Sequence, residues 1–295
     1  MKWKGQTRGG LLGQRIFVFI LNTFGLYPSY FILAFVAAYY FLFSNTAKFL
    51  YYYYHKILKF GAVESRLRIY INYFRFGQVL IDRTALLSGV KTNFKLIRTG
   101  GENLDLIRNM GKGGILLSAH VGNWEIAGQI LNRLNSKFSV LIYENEHEQI
   151  KQYLDKIMVK RNVSIIPIKD NDLSHLVKIK EAFENNELLV MHGDRFRDGT
   201  KTIEHDLLGK PVQFPLGPFY LAAKFEVPVS IVFCMKEKAD QYHLFASSPI
   251  ELTGASTAGE TSLGVQELLD KYVFELETVV KKYPDQWFNH YQYWN

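Results

Sequence analysis

The stretch GGILLSAHVGNWEIAGQIL, residues 113–131, joins a strand pattern to a helix pattern within a few residues. Residues 114–119 form an apolar run of strand length, and residues 123–134 have helical spacing of apolar residues. Asn123 is a suitable N-cap, and Glu125 falls in the first helical turn. The stretch therefore predicts a β-strand that feeds directly into an α-helix, with His120 at the junction.

The rest of the chain repeats this alternation of strand and helix. Apolar runs such as VSIVFCM indicate strands that are covered on both faces. We therefore expect a three-layer α/β/α fold with a mostly parallel central sheet. Residues 193–215 are predicted to be a loop, and residues 242–247 an edge strand. The remaining strands are predicted at residues 94–98, 139–143, 163–168, 188–192 and 227–235, and the remaining helices at 62–87, 102–110, 147–161, 173–184, 218–225 and 265–282.

Composition narrows the possible classes of function. The chain has 295 residues, of which 48% are hydrophobic and 15% aromatic, and a formal net charge of +7. A basic surface attracts polyanions such as nucleic acid, anionic lipid or acidic carrier proteins. The single cysteine, Cys234, excludes a disulfide framework within the chain and a cysteine-rich zinc site. We expect neither a metal nor a cofactor.

The N-terminal region is the most apolar part of the chain. An uncharged tract covers residues 16–47, and basic residues flank it on both sides. The tract is too long for the core of a signal peptide, and Gly25 and Pro28 interrupt it. It could be one kinked membrane crossing, a hairpin in one leaflet, or a buried helix pair of a soluble fold. We expect a membrane anchor over residues 1–60 and an α/β domain over residues 61–295.

His120 lies where sites form in open α/β sheets, just beyond the carboxyl end of a strand. Gly122 would permit a tight turn there. A carboxylate on Glu125 could receive the ring proton of His120 and fix its tautomer, which is the arrangement of a general base and the group that orients it. The alternative is purely structural, because a histidine and a first-turn glutamate can also just cap a helix.

The residues around this pair carry a family resemblance. HVGNWE matches the H-x4-D/E motif of the lysophospholipid acyltransferase superfamily and most closely resembles the lipid A late acyltransferases. Three further segments resemble that family in the same order along the chain. They are MHGDRFRDG at residues 191–199, LLGKPVQFPLGPFYLAAKFEVPVSIVF at 207–233, and YPDQWFNHYQYW at 283–294.

The resemblance implies an acyltransferase at the cytoplasmic face of a bacterial inner membrane. His120, oriented by Glu125, would activate a hydroxyl or amine of a lipid acceptor such as a lipid A precursor. The oxygen or nitrogen would attack an acyl thioester carried by acyl carrier protein or coenzyme A, without a covalent enzyme intermediate. We expect a site that binds no nucleic acid. The residues expected to bind substrate are Asn123, Trp124, Arg161, Asp194, Arg195 and Lys210.

One segment departs from the family pattern. The family often carries an arginine after the strand that follows the H-x4-E helix, whereas here VLIY is followed by Glu144, Asn145 and Glu146. Arg161 matches a later family arginine. The acidic residues put the usual acceptor, a phosphorylated disaccharide, in doubt, but they leave the acyl-transfer step intact.

Two other classes of function remain open from the residues alone. The segment HGDRFRDG offers His192, Asp194 and Asp198, with His205 following, as ligands of a metal-dependent phosphoesterase. A non-enzymatic membrane- or RNA-binding protein is also compatible with the charge and the interleaved aromatic residues. The basic residues are, however, spread along the chain, and it carries no recognisable RNA- or DNA-binding motif.

Overall fold

The computed structural model describes residues 11–88, 94–123, 137–143, 163–168, 174–252 and 258–294, together with residues 90 and 92. The predicted helices at 123–134 and 147–161 lie outside the described residues, apart from Asn123. In chain order the helices are α1 (Leu11–Phe24), α2 (Leu26–Phe43), α3 (Ala47–Tyr51), α4 (Ala62–Ser88), α5 (Gly101–Asn109), α6 (Ser174–Glu184), α7 (Leu216–Phe225) and α8 (Ala258–Lys282). A π-helical stretch (Tyr52–Ile57) continues α3, and a 3-10 turn (Pro284–Gln286) follows α8.

The strands form one large sheet and one hairpin. The strands are β1 (Lys95–Thr99), β2 (Gly114–Ser118), β3 (Phe138–Tyr143), β4 (Val163–Ile168), β5 (Leu188–His192), β6 (Thr202–Leu207), β7 (Lys210–Pro215), β8 (Val229–Lys238) and β9 (Gln241–Ala246). The large sheet has the order β1-β9-β8-β2-β5-β3-β4, and its neighbours are parallel except for the antiparallel pair β8 and β9. The predicted α/β fold with a mostly parallel sheet is confirmed.

The central strand β2 is buried along its whole length and supplies side chains to both faces of the sheet. Ile115 and Leu117 pack into a core that includes residues of α6, α7 and α8, whereas Leu116 packs with α5 on the opposite face. This two-sided burial explains why the strand has a continuous apolar run rather than an alternating pattern. It also places the carboxyl end of β2 in the middle of the sheet edge.

Two sequence-based predictions about strands are wrong. Residues 242–247 do not form an edge strand, because β1 pairs in parallel with the outer side of β9. Residues 193–215 are not all loop, because β6 and β7 form an antiparallel hairpin. Its two-residue turn uses Leu208 and Gly209, both with positive φ. Leucine is an unusual residue in such a turn, so the sequence signal for a hairpin was weak.

The N-terminal tract forms two helices that break at Gly25, which has a φ of +84°. One stripe of α2 is buried, comprising Ser29, Tyr30, Leu33 and Ala37. The opposite stripe is exposed and aromatic, with Phe31 69% and Phe35 65% exposed. Both stripes are apolar or aromatic, and the mean hydropathy of α2 is 1.6. By length and composition α2 could cross a membrane, and core helices of soluble proteins meet the same criterion.

α2 packs along α4, so these contacts cross the predicted domain boundary at residue 60. Leu33 fits against Gly77, where an added Cβ would lie 2.2 Å from the leucine Cδ1. The hydroxyl of Tyr70 donates to the backbone oxygen of Ala34 over 3.3 Å. Near the end of α2, the rings of Tyr40 and Tyr73 lie 6.2 Å apart. The second helix of the N-terminal tract, α2, is thus held against the α/β part of the chain along its length.

Candidate active site

The pairing of β2 with β5 determines the geometry of the candidate site. The two strands are parallel, and Ser118 lies opposite His192 in the register. His120 and Asp194 each follow their strand by two residues, so both emerge at the same level of the sheet edge. The backbone N–H of Gly193 donates to the oxygen of Ser118 over 2.9 Å, which keeps the two chain segments together beyond the strands.

His120 and Asp194 form a two-point contact. The ring Nδ1 of His120 lies 2.8 Å from Oδ1 of Asp194, and the backbone N–H of His120 donates to Oδ2 over 3.0 Å. The carboxylate is fully buried, whereas 28% of the histidine side chain is exposed. The imidazole is therefore held on its protein side and open toward solvent on the other.

The turn after His120 depends on Gly122. This residue has a φ of +65°, and an added Cβ would lie 2.2 Å from the backbone oxygen of Cys234 on β8. The next backbone N–H, that of Asn123, donates to the same Cys234 oxygen over 2.7 Å. A side chain at position 122 would push the turn away from β8, so glycine is required by both the dihedral angle and the close approach.

The C-terminal segment closes over the same turn. Trp287 forms an antiparallel bridge with Val121, and the N–H of Phe288 donates to the oxygen of His120 over 3.2 Å. Arg195 holds this segment through a 2.6 Å bond from Nη2 to the oxygen of Phe288. The hydroxyl of Tyr293 donates to the backbone oxygen of Asp194 over 3.1 Å. The predicted aromatic C-terminus thus packs on the site itself.

The electrostatic environment favours a neutral His120 and an ionised Asp194. Burial, followed by the positive charge of Arg195, lowers the pKa of His120 below its ordinary value of 6.5, although Asp194 opposes this shift. Burial alone would raise the pKa of Asp194, but His120 and Arg195 more than offset it, so the pKa lies below its ordinary value. An ionised Asp194 can only accept, so Nδ1 carries the ring proton and Nε2 carries the free lone pair.

A second histidine lies beside the first. The ring centroids of His120 and His192 are 4.4 Å apart. Burial and the neighbouring His120 lower the pKa of His192 to about 3. His192 is therefore neutral near pH 7 and adds no positive charge next to His120.

The predicted site residues divide into three groups. Asp194 and Arg195 lie at His120, as described above. Asn123 is buried and its amide donates to the hydroxyl of Tyr242 over 3.2 Å, while Lys210 donates to the hydroxyl of Tyr52 over 2.8 Å. Substrate contact by any of these residues remains a prediction. The predicted residues that lie outside the described residues are Trp124, Glu125 and Arg161.

The sequence analysis did not find that Asp194 is the carboxylate on the ring of His120. The sequence predicts Asp194 as a substrate-binding residue and gives the orienting role to Glu125. The signal was present, because Asp194, like His120, lies within two residues of the end of a predicted strand. Using it required knowing that β5 pairs with β2, which the order of strands along the chain does not reveal.

The residues proposed for a metal site are not grouped together. His205 lies on the β6–β7 hairpin, where its Nε2 is 3.0 Å from Asp270 of α8. Asp194 is engaged by His120. Within the part of the chain that the structure describes, no three histidine, cysteine, aspartate or glutamate side chains are placed to hold a metal ion.

A cavity of about 330 Å³ lies beside the C-terminal segment. Among the described residues, the Nε1 of Trp287 and both amide atoms of Asn289 are buried without a hydrogen-bond partner. Trp287 is fully buried and Asn289 is 6% exposed. Both residues line the cavity, together with Lys48, Phe49, Tyr52, Tyr53, Tyr291, Gln292, Tyr293 and Trp294.

Fold and site together define an α/β protein with a hydrogen-bonded histidine–aspartate pair at the carboxyl edge of its sheet. The comparison with protein families identifies the family to which the chain belongs. Residues 79–295 match the family model described as bacterial lipid A biosynthesis acyltransferase. The chain belongs to this family, and the resemblance found in the sequence is confirmed.

Similar proteins include phosphatidylinositol mannoside acyltransferases. The protein from Mycobacterium tuberculosis (strain ATCC 25618 / H37Rv) is 26% identical over 126 residues, which are 42% of this chain and 39% of that protein. The protein from Mycolicibacterium smegmatis is 21% identical over 196 residues, which are 63% of this chain and 61% of that protein. The chain therefore spans about two fifths to three fifths of the length of these relatives.

A crystal structure of a 1-acyl-sn-glycerophosphate acyltransferase from Thermotoga maritima is also similar. It has 15% sequence identity and a TM-score of 0.40, and the match covers 84% of this chain and 98% of that one.

The lowered pKa of His192 makes stability depend on pH. Above pH 6.5 the histidine is neutral in both the folded and the unfolded state, so stability is complete there. Below pH 6.5 the unfolded state takes up the proton first, and the free energy of unfolding falls as the pH drops. From pH 7 to pH 5 we expect the wild type to lose about 2 kcal/mol more than His192→Asn, measured by urea unfolding. His205→Asn, on the exposed hairpin, is the control and should behave as the wild type. Equal losses in the wild type and His192→Asn would contradict the assignment.

Proposed function

We propose that the protein transfers an acyl group from a thioester to a hydroxyl or amine of a membrane lipid, with His120 as the general base. The observation that carries this proposal is the imidazole of His120, 28% exposed and bonded through Nδ1 to a buried, ionised Asp194. A neutral imidazole in a partly exposed side chain, with its lone pair on Nε2, is suited to removing a proton from a substrate. Membership of the acyltransferase family supports this choice of reaction.

The reaction follows from this arrangement in two stages. Nε2 of His120 takes the proton of the acceptor hydroxyl while the acceptor oxygen forms a bond to the thioester carbonyl carbon. The carbon–sulfur bond then breaks, and the leaving sulfur receives the proton from the imidazolium. The carboxylate of Asp194 stabilises the imidazolium between these stages, as in other histidine–carboxylate pairs. No covalent bond to the protein is needed.

For the donor and the acceptor we propose chemical classes. The names of the family and of the relatives refer to lipid A biosynthesis and to phosphatidylinositol mannoside. For this chain we propose a lipid hydroxyl or amine, with a lipid A precursor as one candidate. Acyl carrier protein or coenzyme A would carry the acyl group, and the net charge of +7 suits an acidic carrier.

His120 and its carboxylate provide the first test. In a host that lacks the gene, the wild-type gene should restore an acylated lipid, seen by mass spectrometry, while His120→Ala should not. With labelled acyl thioesters and membranes of the gene-deleted host, we expect His120→Ala to lower turnover about 10²–10⁴-fold. Because the pKa of His120 is lowered, the acid limb of the wild-type rate profile should lie below pH 6.5.

Asp194→Asn and Glu125→Gln separate the two carboxylates that could orient the base. If Asp194 orients His120, its variant should lose turnover about as severely as His120→Ala, and Glu125→Gln should lose less. Exposed Asp198→Asn is the matched control for the acidic residue. Full activity of both His120→Ala and Asp194→Asn would refute the proposed roles, and an unchanged lipid profile without the gene would refute acyl transfer.

The cavity is proposed to receive a polar part of the acceptor. An unpaired buried polar group costs about 1–3 kcal/mol, so an alkyl chain against Trp287 and Asn289 would leave that cost in place. A hydroxyl-bearing group could instead accept from Trp287 Nε1 and pair with the amide of Asn289. The cavity adjoins the turn, since Trp287 bridges Val121 and Phe288 bonds His120.

Asn289→Leu tests this use of the cavity. Removing an unpaired buried amide should leave the free energy of unfolding unchanged or raise it, because no bond within the protein is lost. The KM for acceptor membranes should rise about 10-fold, corresponding to one lost hydrogen bond of about 1.4 kcal/mol. Asn185→Leu, at an exposed turn, is the control. An unchanged KM for acceptor, or a rise in the KM for the thioester alone, would contradict the proposal.

We propose that α1 and α2 lie in one leaflet rather than cross the bilayer. α2 contacts α4 near its start, its middle and its end, and α4 carries Arg66, Arg68 and Arg75 outside the buried core. A crossing would draw these charges into the hydrocarbon, at a cost of about 2.5–3.5 kcal/mol for each at the centre. A helix lying in the interface would instead insert its exposed aromatic stripe. The site would then face the cytoplasmic side of the inner membrane, where thioester donors are found.

The exposed stripe can be tested without disturbing the buried one. Phe31→Ser with Phe35→Ser should lower binding to vesicles containing anionic phospholipid about 10²–10⁴-fold, since each phenylalanine contributes about 1.5–3 kcal/mol when buried. Flotation with the vesicles gives the bound fraction. Phe274→Ser, on α8 and 69% exposed, should bind as the wild type. Unchanged flotation of the double variant would place the membrane contact elsewhere.

A further inference from the structure

A buried ion pair lies behind the active-site turn. Asp82 of α4 and Lys236 of β8 are both fully buried, with 2.5 Å between Oδ2 and Nζ. Burying such a pair costs roughly as much desolvation energy as its attraction returns, so stability alone gives little reason for it. Nothing in the proposed reaction uses either residue.

Two tyrosines complete the cluster around Asp82. Tyr30 of α2 donates to Oδ1 of Asp82, and Tyr242 of β9 donates to Oδ2. Lys236 also donates to the hydroxyl of Tyr30 over 3.0 Å and to the backbone oxygen of Ala239 over 2.8 Å. We refer to Tyr30, Asp82, Lys236 and Tyr242 as the Asp82 cluster. It joins four elements, α2, α4, β8 and β9, at one buried point.

The Asp82 cluster reaches the active-site turn through Tyr242. The phenol oxygen of Tyr242 accepts a 3.2 Å bond from the amide of Asn123 while its hydrogen is directed to Asp82. Asn123 follows His120 by three residues, and its backbone N–H is bonded to β8. Two bonds therefore hold the far side of the turn, one to the β8 backbone and one to the Asp82 cluster.

We propose that Tyr242 is a positioning residue for His120. Through the hydrogen bond of Tyr30 to Asp82, the packing of α2 contributes to the same positioning. Asp82 and Lys236 fix the direction of the Tyr242 hydroxyl, which fixes Asn123 and with it the turn that carries His120. This inference rests on the proposed role of His120 as the base. If it holds, α2, which precedes the predicted α/β domain, helps to determine the geometry of the site.

Tyr242→Phe should disturb the site without emptying the core. The ring remains, but Asn123 loses this acceptor and Asp82 loses one of its donors. We expect kcat to fall about 10- to 100-fold with little change in the KM for the thioester, because small displacements of a reacting group have effects of this size. Tyr30→Phe should produce the same kind of change with a smaller amplitude.

The pH profile separates positioning from general loss of structure. The described charged and titratable groups that face His120 are Asp194, Arg195 and His192. If the turn loosens, His120 becomes more hydrated and its pKa returns toward 6.5, so the acid limb of kcat should move to higher pH. A variant that only unfolds more easily would lose amplitude and leave the acid limb in place.

The chain offers matched controls for both tyrosines. Tyr70→Phe removes a phenol bond between α4 and α2 outside the Asp82 cluster, and Tyr283→Phe removes one to Glu237, next to Lys236 in sequence. Both should keep the wild-type kcat within about twofold and the wild-type acid limb. Tyr30→Phe behaving like Tyr70→Phe would overturn the part assigned to α2.

His120→Ala, measured alongside, distinguishes the two possible failures. If His120→Ala is inactive and Tyr242→Phe has the kcat and acid limb of the wild type, the positioning role is overturned and the proposed function stands. If His120→Ala retains full activity, the proposed function itself fails. Inactive His120→Ala together with a lowered kcat and a raised acid limb in Tyr242→Phe supports the inference.

Discussion

The carboxylate of Asp194 holds His120 at two points, the backbone N–H and the ring Nδ1. This contact depends on the parallel register of β2 and β5, which brings two separate chain segments to the same level. It also fixes the tautomer of His120, because a buried, ionised carboxylate can only accept a hydrogen bond and so keeps the ring proton on Nδ1. A slip of the register by one residue would reverse the direction of the side chains and separate the pair.

The last residues of the chain complete this arrangement. The oxygen of His120, the oxygen of Asp194 and the guanidinium of Arg195 each bond to the segment between Phe288 and Tyr293. The two tryptophans that flank this segment pack against the π-helical stretch. The ring of Trp287 lies 5.2 Å from that of Tyr53, and the ring of Trp294 stacks on Tyr53 at 5.9 Å. The N-terminal and C-terminal parts of the chain therefore meet beside the site.

Local patterns in the sequence predicted the strands and the position of His120, because apolar runs and strand ends are properties of short segments. The pairing of β2 with β5 and the outer position of β1 are properties of the whole sheet, and short segments do not contain them. Asp194 was therefore recognised as a site residue but not as the partner of His120. The β6–β7 hairpin was missed for a local reason. Leu208 has a φ of +54°, and its N–H is held by Glu277 of α8 over 2.5 Å, a tertiary contact that compensates for an unfavourable turn residue.

The Asp82 cluster determines which face of α2 is buried. A helix with apolar side chains on opposite faces can bury either face, so hydrophobic burial alone does not determine its rotation about its axis. Tyr30 is the residue of α2 whose hydroxyl reaches Asp82, and only one rotation of the helix allows that bond. A buried polar contact of this kind gives little net stability, but it penalises alternative packings, because they leave the buried Oδ1 of Asp82 without the Tyr30 donor. In this protein the rotation that satisfies Asp82 also turns Phe31 and Phe35 outward, so the same ion pair that steadies the active-site turn decides which face of α2 is exposed.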